Sequence, residues 1–226
     1  MHRIAFYDLD KTITRRASFG PFIGHVIKKY RRSRIAVVPL MAILTLLYGA
    51  GLISRARLKE RNLELLAGEY PGEPDLRDMA ASFARETIDS NILQPALAQM
   101  AADRQAGYRI VIASASFHFY VSAIGKLLDV TDIIATDLRM DSGGHYQSRI
   151  SGENCYGPQK LVMVQDWMKR ERLDRAQCHI RFYSDHVSDA PCLIWADEAF
   201  ATNADALLKA MAQAKGWICL NWLSES

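Results

Sequence analysis

With 226 residues, half of them hydrophobic and 23% charged, the chain has material for one domain with an insert or two modest domains, and it is too apolar for disorder. A formal net charge of +3 does not point to a nucleic-acid protein, and no nucleic-acid partner is expected. Cys155, Cys178, Cys192 and Cys219 are scattered without a CxxC pair, which excludes a disulfide frame or a thiolate zinc site and fits free thiols in a reducing compartment.

A strand pattern begins directly after Met1, His2 and Arg3, so no signal peptide is expected. Residues 4–7 read as a short buried strand, ended by Asp8 and Asp10 with one leucine between them. Side chains two apart in an extended segment point the same way, so both carboxylates are expected to face one site. That is costly unless a cation or a shared proton offsets it.

Residues 15–91 show no clear strand pattern and read as several helices, a cap inserted after the first strand. Within it, residues 35–53 carry no charge and reach the roughly 18 residues of a membrane span. Lys28, Lys29, Arg31, Arg32 and Arg34 precede this stretch, and Arg55, Arg57 and Lys59 follow it. A single span would put Asp8 and the later strands on opposite sides of a bilayer, and Pro39, Gly49 and Gly51 suggest breaks. The expectation is a helical hairpin buried within the cap. Two alternatives stay open: an interfacial segment meeting anionic lipid through residues 28–59, and an apolar surface for a lipid-like group or a dimer.

Beyond the cap, helix and strand patterns alternate. Helices are expected over 95–105, 117–128, 160–172 and 204–215, and strands over 108–113, 179–183, 198–202 and 217–220. Residues 133–140 and 145–150 flank "DSGG" and read as a β-hairpin. The alternation predicts an α/β fold: a Rossmann-like parallel sheet with helices on both faces, formed by 1–14 and 92–226, plus the helical cap at 15–91. Ligands in such sheets sit at the carboxyl ends of the strands, where Asp8, Ser114 and Asp185 fall. Taken singly, each has a plain structural reading. Ser114 could cap a helix, Lys160 could be a solvated helix lysine, and Asp185 and Asp189 could cap the helix near Ala190.

In order, the chain carries Asp8-Leu9-Asp10-Lys11-Thr12, "IVIASAS" with Ser114, "GPQK" with Lys160, and "FYSDHVSD" with Asp185 and Asp189. This series resembles the haloacid dehalogenase-like hydrolases over nearly the whole chain. The cap resembles that of the phosphoserine-phosphatase-like branch, and "GENCYGPQK" with the C-terminal "ATNADALLKAMAQAKGWICLNW" resembles its bacterial IB group.

The resemblance implies a Mg²⁺-dependent phosphomonoester hydrolase; the free thiols and the lack of a signal peptide add the expectation of a cytoplasmic location, and residues 28–59 add peripheral contact at the inner membrane face as an option. Asp8 would be the nucleophile and form an aspartyl-phosphate. Asp10 would protonate the leaving alkoxide and then activate water. Ser114, the Ala115 backbone N–H and Lys160 would hold the phosphate. Asp8, the Asp10 carbonyl and Asp185 would ligate the metal, with Asp189 binding through water or holding Lys160. His186 reads as a rim residue, and Cys155, lacking a paired base, is not expected to be a nucleophile.

Two departures stand out. Lys11 occupies a position where the family usually has a small residue. "DKTIT" also permits a second register with Asp10 as nucleophile; Asp8 is preferred because it directly ends the apolar run. An acid at position 10 argues against carbon–halogen chemistry. No Asp or Glu lies between Lys11 and Lys59, where phosphoserine phosphatases carry a carboxylate for the substrate amine. The substrate is therefore expected to be a lipid-like or non-aminated phosphomonoester. The alternatives are a phosphoserine-type small-metabolite phosphatase or a non-catalytic membrane-associated binding protein on the same fold.

Overall fold

The computed structural model describes residues 1–224. β1 (His2–Tyr7) is followed by a kinked turn over Leu9–Ile13. Then come α1 (Phe19–Lys29), a 3-10 turn (Arg32–Val37), α2 (Val38–Gly49), α3 (Arg55–Ala67), α4 (Glu73–Ser90) and α5 (Gln94–Gln105). The second half holds β2 (Arg109–Phe117), α6 (His118–Leu127), β3 (Asp132–Thr136), β4 (Leu138–Met140), β5 (Tyr146–Ile150) and α7 (Pro158–Arg170). It ends with β6 (Cys178–Ser184), α8 (Ala190–Trp195), β7 (Glu198–Thr202), α9 (Ala206–Lys215) and β8 (Ile218–Leu220).

Six strands form one parallel sheet in the order β3-β2-β1-β6-β7-β8. The chain winds from β1 out to β2 and β3, then crosses back to β6 on the other side of β1. The strand order therefore reverses between β1 and β6, and a crevice opens beyond their carboxyl ends. β1 is central, with residues 4–7 buried, which explains its unbroken apolar run. On one side of the sheet Ile4, Phe6 and Val111 pack with Val164, Trp167 and Leu193 of α7 and α8. On the other, Tyr7 and Ile112 join a core that continues into the cap through Phe22, Leu63 and Phe83.

α1 to α4 lie between two chain segments that run side by side. Thr14 bridges Ile92, and Arg15 donates its N–H to the Asn91 carbonyl at 2.7 Å. An aromatic cluster fixes these helices on α6: Phe22 stacks on Tyr120 with centroids 4.9 Å apart, and Phe83 meets the same ring edge-on at 5.6 Å.

Three expectations need correction. Ser114 lies inside β2, which runs on to Phe117 with a register shift between the two. The hairpin is shorter than 133–140 and 145–150: Asp132–Thr136 is an edge strand of the main sheet, and the antiparallel pairing within this stretch is that of β4 with β5. Asp137 separates the two, so a single apolar run served two sheets. Finally, the apolar stretch 35–53 is not a buried hairpin. Met41 is buried and Val37 packs on the core, but Ile35, Leu40, Ile43, Leu46 and Leu52 are exposed. This helix packs along α3 on one side, and among the described residues nothing covers its other side.

Candidate active site

β1 ends at Tyr7, so Asp8 emerges at the switch point. Its N–H donates to the Tyr183 carbonyl at 2.9 Å, which pins it against β6. Tyr7 and Tyr183 stack beneath it with centroids 4.2 Å apart. The backbone then bends: Lys11 sits in the left-handed region at φ 60°, held by Asn203, whose side chain donates to the Lys11 carbonyl at 2.8 Å.

The bend separates the two aspartates by partner. Asp8 Oδ1 accepts from Lys160 Nζ at 2.8 Å. Asp10 is turned toward the cap, accepting from the Ser18 N–H at 2.7 Å and from the Ser116 hydroxyl at 2.9 Å. They face one cavity, as the two-residue spacing suggests, but they do not share a partner.

Lys160 stands in the first turn of α7, just after Gly157, whose φ of 61° suits glycine and turns the chain into the helix. Its side chain is 2% exposed and also binds Asp189 Oδ2 at 2.6 Å, an oxygen that accepts from the Ser184 hydroxyl at 2.7 Å. Burial alone would lower the Lys160 ammonium, but Asp189 and Asp8 outweigh it and hold the pKa well above its ordinary value. Lys160 is thus a fixed positive charge, not a solvated helix lysine. Asp189, at the start of α8, makes no cap bond with its side chain and holds Lys160 instead.

Asp8, Asp10, Lys11, Ala115, Lys160, Asp185 and Asp189 line one cavity of about 210 Å³, together with Arg55, Tyr156 and His186. Ser114 is buried and accepts the Ser116 N–H at 3.1 Å; its own O–H remains a donor. Cys155 is buried, and burial pushes its thiol up to about 12, so it is inert as a nucleophile. His186 sits at the rim, 3.4 Å from Asp205.

Burial raises the pKa of Asp8; Lys160 pulls it back, and Asp189 and Asp10 raise it further. Burial and then the charge of Asp8 raise that of Asp185. Two carboxylates crowded in this way call for a cation between them. Asp189 Oδ1, buried and without a hydrogen-bond partner, adds to the excess of acceptors. All these donors are hard oxygens, which suit Mg²⁺. Among the described residues no three His, Cys, Asp or Glu side chains converge as a metal cluster. Asp8, Asp10, Asp185 and Asp189 all line the cavity, and these are the residues present that could hold such a cation, with water and substrate making up the remainder.

Several site residues escape the motif reading. Ser116 repeats the spacing of Ser114 two positions on along β2 and could have been found from that. Arg55 and Lys59 come from α3. Arg55 lies over the Tyr156 ring, 4.4 Å from its centroid. Lys59 is buried, and its Nζ donates to the Ala115 carbonyl at 2.5 Å and to Asn154 Oδ1 at 2.8 Å. It ties α3 to Ala115 of β2, which lines the cavity. Burial, then Arg55, lower its pKa to about 7. Only the fold brings these residues in.

A family model described as haloacid dehalogenase-like hydrolase matches residues 5–193. The chain is 27% identical over 224 residues to a histidinol-phosphatase of Neisseria meningitidis serogroup C (strain 8013), covering 98% of this chain and 100% of that one. A solved protein of unknown function from Bordetella pertussis Tohama I superposes with a TM-score of 0.88 at 25% identity, covering 98% of this chain and 99% of the other. A phosphoserine phosphatase solved as a phospho-aspartyl intermediate analogue gives a TM-score of 0.62 at 16% identity, over 97% and 93% of the chains, a likeness of fold.

Proposed function

The chain belongs to the haloacid dehalogenase-like hydrolases and is a phosphatase of that family, and from this premise we propose a Mg²⁺-dependent hydrolase of lipid-like, non-aminated phosphomonoesters. Asp8 attacks phosphorus through a carboxylate oxygen, and the bond from phosphorus to the leaving oxygen breaks. Asp10 gives that oxygen a proton. It then takes a proton from water, which attacks phosphorus and releases phosphate and free Asp8. Ser116 and the Ser18 N–H hold the Asp10 carboxylate at this task. Lys160 holds Asp8 in place and lends positive charge where phosphate oxygens crowd the carboxylates. Mg²⁺ held by Asp8, Asp185 and the Asp10 carbonyl would neutralise charge on the transferring group.

The observation that carries the substrate reading is the lining of the cavity. Lys11 and Arg55 are cations there, and among the described residues the cap contributes no carboxylate to it. A leaving group bearing an ammonium would meet cations with no acid free to pair it, whereas an anionic or neutral one fits. At about 210 Å³ the cavity takes a phosphate and a few more atoms, so a larger leaving group stays outside, on the cap side.

A second reading, a small-metabolite phosphatase for aminated monoesters, is favoured by the full-length likeness to a histidinol-phosphatase. Comparing kcat/KM with Mg²⁺ on phosphatidic acid in micelles, glycerol phosphate, histidinol phosphate and phosphoserine separates the two. We expect the first pair to exceed the second by roughly tenfold or more, with Arg55→Glu narrowing the gap. Preference for histidinol phosphate or phosphoserine would establish the second reading.

A further inference from the structure

We propose that residues 32–52 of the cap form a docking surface for an anionic bilayer, lying flat in the headgroup region and bringing the cavity mouth to the lipid. The proposal rests on the reading of the substrate as a lipid-like monoester, and it adds the partner and the surface that meets it.

The apolar content is high and outward. Arg32–Gly49 has a mean hydropathy of 1.4, and only 6% of it is buried. Along α2 the inward side follows helical spacing through Val37, Met41, Leu44 and Leu47. The outward side carries Val38, Leu40, Ile43 and Leu46, with Ile35 before and Leu52 after. Leu46 is 73% exposed and Leu52 71%. A patch of this kind on a soluble surface marks a contact.

Charge identifies the partner. Arg31, Arg32 and Arg34 line an open depression of about 480 Å³ with Tyr30, Ser33 and Val37, directly before α2. Arg31 is paired with Asp75 at 2.9 Å. Among the described residues, no carboxylate lies within 4.0 Å of Lys28, Arg32 or Arg34. Basic side chains beside an apolar helix match phosphate headgroups above acyl chains.

Geometry makes the segment lie flat. α2 has twelve residues, about 18 Å at 1.5 Å per residue against a hydrocarbon core of about 30 Å. Its inward side is taken by α3 and the cap core. Spanning would also part Asp8 from Lys160, which are in contact. Arg55, three residues beyond Leu52, lines the cavity, so the apolar surface leads along the chain to the mouth.

The test is co-sedimentation of the full chain with vesicles of phosphatidylcholine alone or mixed equally with phosphatidylglycerol. Wild type should bind the mixed vesicles, weakly at high salt. Ile43→Glu with Leu46→Glu, and separately Arg32→Gln with Arg34→Gln, should each weaken binding by roughly tenfold. Hydrolysis of p-nitrophenyl phosphate should be unchanged in both, which shows that they fold. No vesicle binding by wild type, or binding unchanged in the glutamate pair, would overturn the proposal. So would a dimer that the glutamate pair dissociates and that never binds vesicles. Micellar phosphatidic acid separates the two claims. Its hydrolysis without vesicle binding overturns docking and leaves the substrate reading standing. Vesicle binding without such hydrolysis supports docking and sinks the substrate reading.

Discussion

On the floor of the cavity, Lys160 is almost fully buried and is held by two carboxylates at 2.8 and 2.6 Å. On the outward side of α2, Leu46 is largely exposed, on a helix with a single buried residue, Met41. The floor buries charge and pairs it; the cap exposes apolar surface and leaves it uncovered. Each goes against the usual distribution of residues, and each is costly without a partner. The first cost is offset by the two ion pairs that Lys160 makes. The second has no such pairing among the described residues, and the proposed bilayer contact would cover it.

Substitutions on the two sides should therefore fail in different ways. Asp8→Asn should lower phosphate release by about three orders of magnitude or more, with the fold retained by circular dichroism. Lys160→Met leaves Asp8 and Asp189 buried without their cation. It should cost about 3 kcal/mol in urea unfolding and abolish most turnover. Equal stability of this variant would mean that the floor is less dry than its burial implies. Ser116→Ala removes one of two donors to Asp10 and should lower kcat by roughly tenfold to a hundredfold, with KM nearly unchanged.

Lys59 joins the two regions, and pH reads it out. Its pKa in the folded state is lowered to about 7, below its ordinary value near 10.5. Between those values the unfolded chain holds more protons, so the Lys59 contribution makes stability rise with pH across that window. Below about 7 both states are protonated and the full cost of burying the charge remains. Lys59→Met should flatten the rise in urea midpoints measured from pH 7 to 9.5, and an unaltered slope would remove Lys59 as its source. The smallest effect belongs to the outward side of α2. Ile43→Glu should change stability by less than about 0.5 kcal/mol, whereas Leu63→Ala in the buried cap core should cost about 2–5 kcal/mol.

The same contrast explains what the sequence made legible. Central parallel strands are buried on both faces and read as unbroken apolar runs, so β1, β6 and β7 could be placed to within about two residues. Asp8, Lys160, Asp185 and Asp189 follow because the chemistry sits at strand ends and at a helix start. Arg55 and Lys59 were hidden as site neighbours, since only the packing of α3 brings Arg55 to the cavity and Lys59 to Ala115, and no periodicity encodes that. The bend at Lys11 was hidden as well: it depends on Asn203, 192 residues away. Composition could not say whether residues 35–53 are covered, because a buried hairpin and an exposed helix share the same apolar content. β3 merged with β4 for a related reason: only the single residue Asp137 divides two strands of different sheets.

The most direct measurement traps the enzyme during turnover. A labelled phosphomonoester is mixed with enzyme and Mg²⁺, quenched in acid, and the phosphorylated peptide is located by mass spectrometry. The label should sit on Asp8 and vanish in Asp8→Asn. Label on Asp10, or turnover with no labelled carboxylate, would contradict the assignment of Asp8 as the nucleophile.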